Sequence, residues 1–262
     1  MRIRWMIGLS LGVFQATASH AAEPGAIEAS VVEFRGGHGP TKGFLARPAG
    51  EGPFPAIVVV HEWWGLSDWV KENARRLAGL GYVAFAVDLY GGKVTDDPGE
   101  AHELMRALDD GEAVADLKGA VSYLKTRPFV AKEQKLGTIG WCMGGKLARL
   151  LAQSSDAVGP TVICYGSVVT EEDQIARLRG KPVLGIFGAT DRGIPVAKVQ
   201  EFGELPQAKS KDTPVKIHVY EGAGHGFMRP GGPQHKADVT GEAWEEIAGF
   251  FTANLKPTAR SR

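Results

Sequence analysis

The chain has 262 residues, with 30 basic and 30 acidic side chains and only two cysteines, Cys142 and Cys164. Balanced charge without a Lys/Arg block excludes a dedicated nucleic-acid binder. No apolar stretch beyond the first 25 residues is long enough to cross a bilayer.

At the N-terminus, Arg2 and Arg4 precede an uncharged run from Trp5 to Phe14, and small residues follow. This is the order of a secretory signal peptide. Residues 1–22 are therefore expected to be cleaved, leaving residues 23–262 as one domain exported to a bacterial periplasm. A chain of about 240 residues suits one large α/β domain whose core needs no disulfide.

The elements then follow in a regular order. "TKGFLARPA" alternates apolar and polar residues and predicts an early antiparallel strand. "FPAIVVVHE" is a continuous β-branched run, the pattern of a strand buried on both faces. "LSDWVKENARRLAGLG" predicts a helix that Ser67 or Asp68 can cap and Gly81 ends. "YVAFAVDLY" is a second buried strand, and the polar loop "GGKVTDDPG" follows it. Val114, Leu117, Val121 and Leu124 recur at steps of three and four, one apolar stripe on a helix closed by Pro128. "KLGTIGW" and "KLARLLAQSS" predict a strand and a helix. "PTVICYG", "KPVLGIFG" and "PVKIHVYEG" are three further strands, and "TGEAWEEIAGFFTANL" is a terminal helix. Strands alternating with helices predict a mostly parallel central sheet with helices on both faces. Sites in such sheets form beyond the carboxyl ends of the strands. Glu62, Asp88, Cys142, Gly166, Asp191 and His225 stand there.

Three readings compete at Gly140–Lys146: a nucleophile elbow, a phosphate-binding loop, and a small apolar residue where a strand packs tightly on a helix. The stretch reads G-x-x-x-x-G-K, but a phosphate loop needs Ser or Thr next, and Leu147 stands there. "HEWWG" begins like a zinc helix motif, but its fifth residue is Gly65, so no metal or cofactor is expected. Gly140-Trp141-Cys142-Met143-Gly144 fits a nucleophile elbow, G-x-S-x-G, with cysteine in place of serine. A helix N-terminus there favours negative charge, and its N–H groups can hold an oxyanion. The fold order nucleophile, acid, histidine is met by Cys142, Asp191 and His225. Taken singly, each has a bland reading: core filler, turn cap and loop histidine. Their joint placement predicts a triad. A disulfide between Cys142 and Cys164 would bury the elbow, so none is expected.

At these residues the chain resembles the dienelactone hydrolase family of α/β-hydrolases. The shared stretches are "VVVHEWWGL", "LGYVAFAVDLYGG", "GTIGWCMGGK", "FGATDRGIP" and "YEGAGHGFMR", from about Pro55 to Arg229. The resemblance implies an α/β-hydrolase fold and a carboxylic ester hydrolase that needs no cofactor. Its partner would be a small ester or lactone, cleaved through a thioester acyl-enzyme. It gives Cys142 the role of nucleophile, His225 that of base and Asp191 that of orienter. Glu62 matches a glutamate that helps switch the thiol to thiolate. The backbone N–H groups of Trp63 and Met143 match the oxyanion hole, and Arg229 an arginine that binds a substrate carboxylate. One position departs. A second carboxylate-binding arginine is replaced here by Gly92, with Lys93 beside it as a less directional cation. The departure leaves open a broad carboxylesterase without carboxylate selectivity. A non-catalytic binding module is a third reading, which the intact triad disfavours.

Overall fold

Two strands, β1 (Ile27–Arg35) and β2 (Pro40–Pro48), pair antiparallel at one edge of the sheet. The computed structural model describes residues 25–209 and 212–255, so the leader expected at residues 1–22 lies outside the described residues. After the hairpin come β3 (Ala56–Val60), α1 (Asp68–Gly79), β4 (Val83–Val87), α2 (Pro98–Ala107) and α3 (Asp110–Thr126). They are followed by β5 (Leu136–Trp141), α4 (Met143–Ser154), β6 (Val158–Cys164) and α5 (Glu172–Ala176). The chain continues through β7 (Val183–Gly188), α6 (Val196–Lys209), β8 (Val215–Tyr220) and α7 (Ala237–Asn254).

The eight strands form one sheet in the order β1-β2-β4-β3-β5-β6-β7-β8. From β4 to β8 every pairing is parallel, and only β2 runs against the rest, antiparallel to both β1 and β4. Alternate side chains of the buried strands supply two cores. Val58, Val60, Phe85 and Val87 pack beneath α3, α4 and α6. Ile57, Val59, Ala84 and Ala86 pack beneath α1 and α7. Burying each large aliphatic side chain contributes roughly 1.5–3 kcal/mol, which explains the unbroken apolar runs in the sequence. The expected mostly parallel sheet with helices on both faces is the observed architecture.

Local signals account for the helix ends. Asp97 accepts from the Glu100 N–H (2.8 Å) with Pro98 at the first helical position of α2. Asp109 accepts from Gly111 and Glu112 at the start of α3. Leu117, Val121 and Leu124 are buried as the stripe predicts, and Ala113 and Ala120 fill the gaps between them. Ser67 occupies the N-cap of α1 without a side-chain hydrogen bond. The chain turns at Gly81, whose φ of +99° suits glycine. β3 lies where the strand order reverses, between β4 and β5, and the carboxyl ends open a crevice there.

Candidate active site

Cys142 follows β5 and caps α4 with φ 56° and ψ −121°. A non-glycine residue at positive φ costs about 1–3 kcal/mol and persists only where its surroundings impose it. Glycines impose it here. A Cβ on Gly140 would strike the Gly144 carbonyl, and one on Gly144 would strike the carbonyls of Val60 and His61. Strand and helix can therefore close only without side chains at both positions. Among the described residues, no backbone carbonyl accepts from the Met143 N–H, which opens α4, or from the Trp63 N–H in the loop after β3. Lys146, the lysine of the discarded phosphate-loop pattern, pairs with Asp110 at 2.7 Å and ties α4 to α3.

Asp191 and His225 follow β7 and β8. The Asp191 carboxylate is 1% exposed, and His225 Nδ1 donates to its Oδ2 at 2.7 Å. Its other oxygen accepts from the backbone of Gly193 (2.8 Å) and Ile194 (3.2 Å). Burial opposes charge on Asp191, but the His225 contact and these two donors hold its pKa below the usual carboxylate value. At His225 burial also opposes charge, yet hydrogen bonds to Asp191 and Cys142 push the pKa up to about 10. One imidazole thus meets the carboxylate on one side and the thiol on the other.

Glu62 lies two residues past β3 and is 3% exposed. Burial raises its pKa to about 7, against the opposing pull of Arg229, His225 and Tyr165. Arg229 Nε stands 3.9 Å from Glu62 Oε2, and the guanidinium stacks on the Trp64 ring at 4.4 Å. His61 takes no part. Its Nδ1 donates to the Glu62 carbonyl and its Nε2 accepts from the Leu89 N–H at 3.1 Å, tying the ends of β3 and β4 together. Burial lowers its pKa and keeps it neutral.

Cys142, His225, Glu62, Trp63 and Arg229 line one cavity of about 360 Å³. Lys93 is not among its lining residues. Gly92 lines a separate groove with His38, Lys42, Asp88 and Asp116. The structure therefore gathers the predicted site residues except Lys93, whose carbonyl instead faces Gly65.

The model of the dienelactone hydrolase family matches residues 41–255. The chain belongs to the dienelactone hydrolase family. A "Putative carboxymethylenebutenolidase" of Methylorubrum extorquens is 33% identical to it over 79% of this chain and 75% of that protein. The "Protein usf" of Aquifex pyrophilus is 30% identical over 86% of this chain and 98% of its own length. Among solved structures, a dienelactone hydrolase-like promiscuous phosphotriesterase from metagenomic libraries superposes with a TM-score of 0.78. It is 25% identical over 88% of this chain and 100% of its own. The acylaminoacyl peptidase of Pyrococcus horikoshii, 17% identical, shares the fold at a TM-score of 0.70, over 90% of this chain and 43% of its own. The chain is thus a hydrolase with the α/β-hydrolase fold.

Within this dienelactone hydrolase family chain, three neighbours of the site escape sequence reasoning. Tyr165 follows β6 with φ 37°, fully buried, its ring edge-on to His225 at 5.3 Å. Burial, with Glu62, Cys164 and Cys142 nearby, raises its hydroxyl well above the ordinary range. Its place at a strand's carboxyl end was the available signal. Met105, from α2, lines the cavity, and so does Trp64. Nothing in the spacing marks Met105, because α2 buries only Ala101 fully.

Proposed function

We propose that the protein hydrolyses ester or lactone bonds of small substrates with Cys142 as nucleophile, His225 as acid and base, and Asp191 as orienter. The observation that carries this reading is the strained Cys142 elbow facing an imidazole already bonded to a buried carboxylate at 2.7 Å. Glu62, with a pKa of about 7 and a place in the same cavity, is suited to accept the thiol proton near neutrality. The thiolate attacks the carbonyl carbon, and the Trp63 and Met143 N–H groups receive the oxyanion. The C–O bond breaks and the alkoxide leaves with the His225 proton. Water then attacks the thioester, gives its proton to His225, and releases the acid and the thiolate. Arg229 binds a carboxylate on the substrate.

An acid quench during turnover of a reactive aryl ester is expected to leave the acyl group on Cys142 in a peptide mass map. An adduct on another residue, or none with turnover intact, would falsify the assignment. Broad carboxylesterase activity on neutral esters is a second reading, supported by an apolar cavity wall that holds Arg229 but not Lys93. A matched acid and methyl-ester pair separates the two. We also read residues 1–22 as an export signal, with the mature protein in a periplasm. N-terminal sequencing is expected to begin near Ala22 or Glu23; an intact Met1 on soluble cytoplasmic protein refutes export.

A further inference from the structure

Arg229 is held by a single turn. The turn runs from Glu62 to Gly65, closed by the Gly65 N–H donating to the Glu62 carbonyl at 3.2 Å. Its carboxylate stands 3.9 Å from Arg229 Nε, beyond hydrogen-bond reach, so it attracts the guanidinium without fixing its angle. The Trp64 indole supplies a second contact. A guanidinium carbon 4.4 Å from the ring centroid lies over the π face, and such a stack sets the plane of the fork while leaving its N–H edge free. Among the described residues, no acceptor lies within hydrogen-bond distance of that edge. Trp64 is itself well anchored. Its carbonyl accepts from the Thr95 N–H at 3.2 Å, and its ring packs edge-on against Trp63 at 4.8 Å. Gly65, at φ +87°, turns the chain where a Cβ would strike the Lys93 carbonyl.

We infer that Trp64 is a positioning residue for anion recognition, orienting the Arg229 fork so that one arginine can receive a substrate carboxylate through paired hydrogen bonds. The inference rests on the reading of Arg229 as a carboxylate binder. Neither Gly92 nor Lys93 lines the cavity, so an aromatic face takes the orienting role that a second cation would otherwise hold. The substrates favoured are esters or lactones that carry one carboxylate in the plane of that fork.

The test measures kcat and KM for a carboxylate-bearing aryl ester and its methyl-ester analogue, with the ratio of the two kcat/KM values as readout. Trp64→Leu is expected to lower the acid preference about 3- to 10-fold, the scale of a partly desolvated cation–π contact, through the KM of the acid. Trp64→Phe keeps a ring face and is expected to retain most of the preference. In an Arg229→Ala background, Trp64→Leu is expected to change the ratio no further. Trp64→Met carries the same comparison should the leucine variant not fold. If Arg229→Ala removes a preference that the ringless variants keep, the role of Trp64 is overturned while the reading of Arg229 stands. If the wild type has no preference and Arg229→Ala changes nothing, the reading of Arg229 fails first.

Discussion

The backbone N–H of Cys142 donates to the carbonyl of Cys164 at 3.0 Å, and the two side chains have opposite surroundings. Cys142 rises from the elbow into the cavity, whereas Cys164 is fully buried, its thiol pushed well up by burial and by Glu62. Both are free cysteines. Cys142→Ala is expected to abolish ester turnover, and Cys164→Ala to keep most of it while losing some stability. Steady-state assays with a thermal melt on each variant check this. A folded, inactive Cys164 variant beside an active Cys142 variant would reverse the assignment.

His225→Ala is expected to cost about 10²-fold or more in kcat, the scale of lost positioned proton transfer. Asp191→Asn is expected to lower kcat with the fold intact, because an amide no longer favours the required imidazole tautomer. His61 cannot stand in, since both its ring nitrogens are committed to backbone groups. Near-normal kcat in His225→Ala would show that the base lies elsewhere.

Glu62 gives a pH prediction of definite sign. Its pKa is about 7 in the fold against an ordinary value of 4.5, so the native state keeps a proton that the unfolded chain has released. Stability from this group therefore falls as pH rises from 4.5 to about 7, and levels off above. The size is of order 3 kcal/mol at 1.36 kcal/mol per pKa unit. Glu62→Gln is expected to flatten that part of the profile in urea unfolding. Parallel profiles for wild type and variant would show that Glu62 titrates normally.

Arg229→Ala is expected to erase the preference for anionic over neutral esters, mainly through KM. One charge-assisted hydrogen-bonded partner is worth roughly 1.5–3 kcal/mol, or about 10- to 100-fold. Lys93→Ala is expected to leave the preference unchanged, because Lys93 does not line the cavity. Gly92→Arg is not expected to raise it: Gly92 sits at φ +92° and faces the neighbouring groove. A large gain in that variant, read as kcat/KM for the acid, would mean that the loop rearranges to reach the substrate.

Elements that bury both faces were legible, because burial writes long β-branched runs such as Ile57–Val60. The elbow was legible because close approach forces glycine at Gly140 and Gly144. β1 was not, since it is an edge strand that fully buries only Phe34. Nor was the start of α7 at Ala237, which no side-chain cap announces. Side-chain directions were out of reach altogether. Lys93 follows Gly92 in sequence yet does not line the cavity, and the contact of Arg229 with Trp64 joins loops far apart in the chain.

Asp191 and His225 are 34 residues apart and follow the last two strands, well after the elbow has been synthesised. In a growing chain Asp191 follows β7, but His225 is missing from beside the elbow until β8 has been added to the sheet. A hydrolase assembled in this order needs no removable inhibitor to keep it silent while it is made. For a chain that crosses a membrane unfolded, catalytic competence would begin only at its destination, with the closing of the sheet as the activating event.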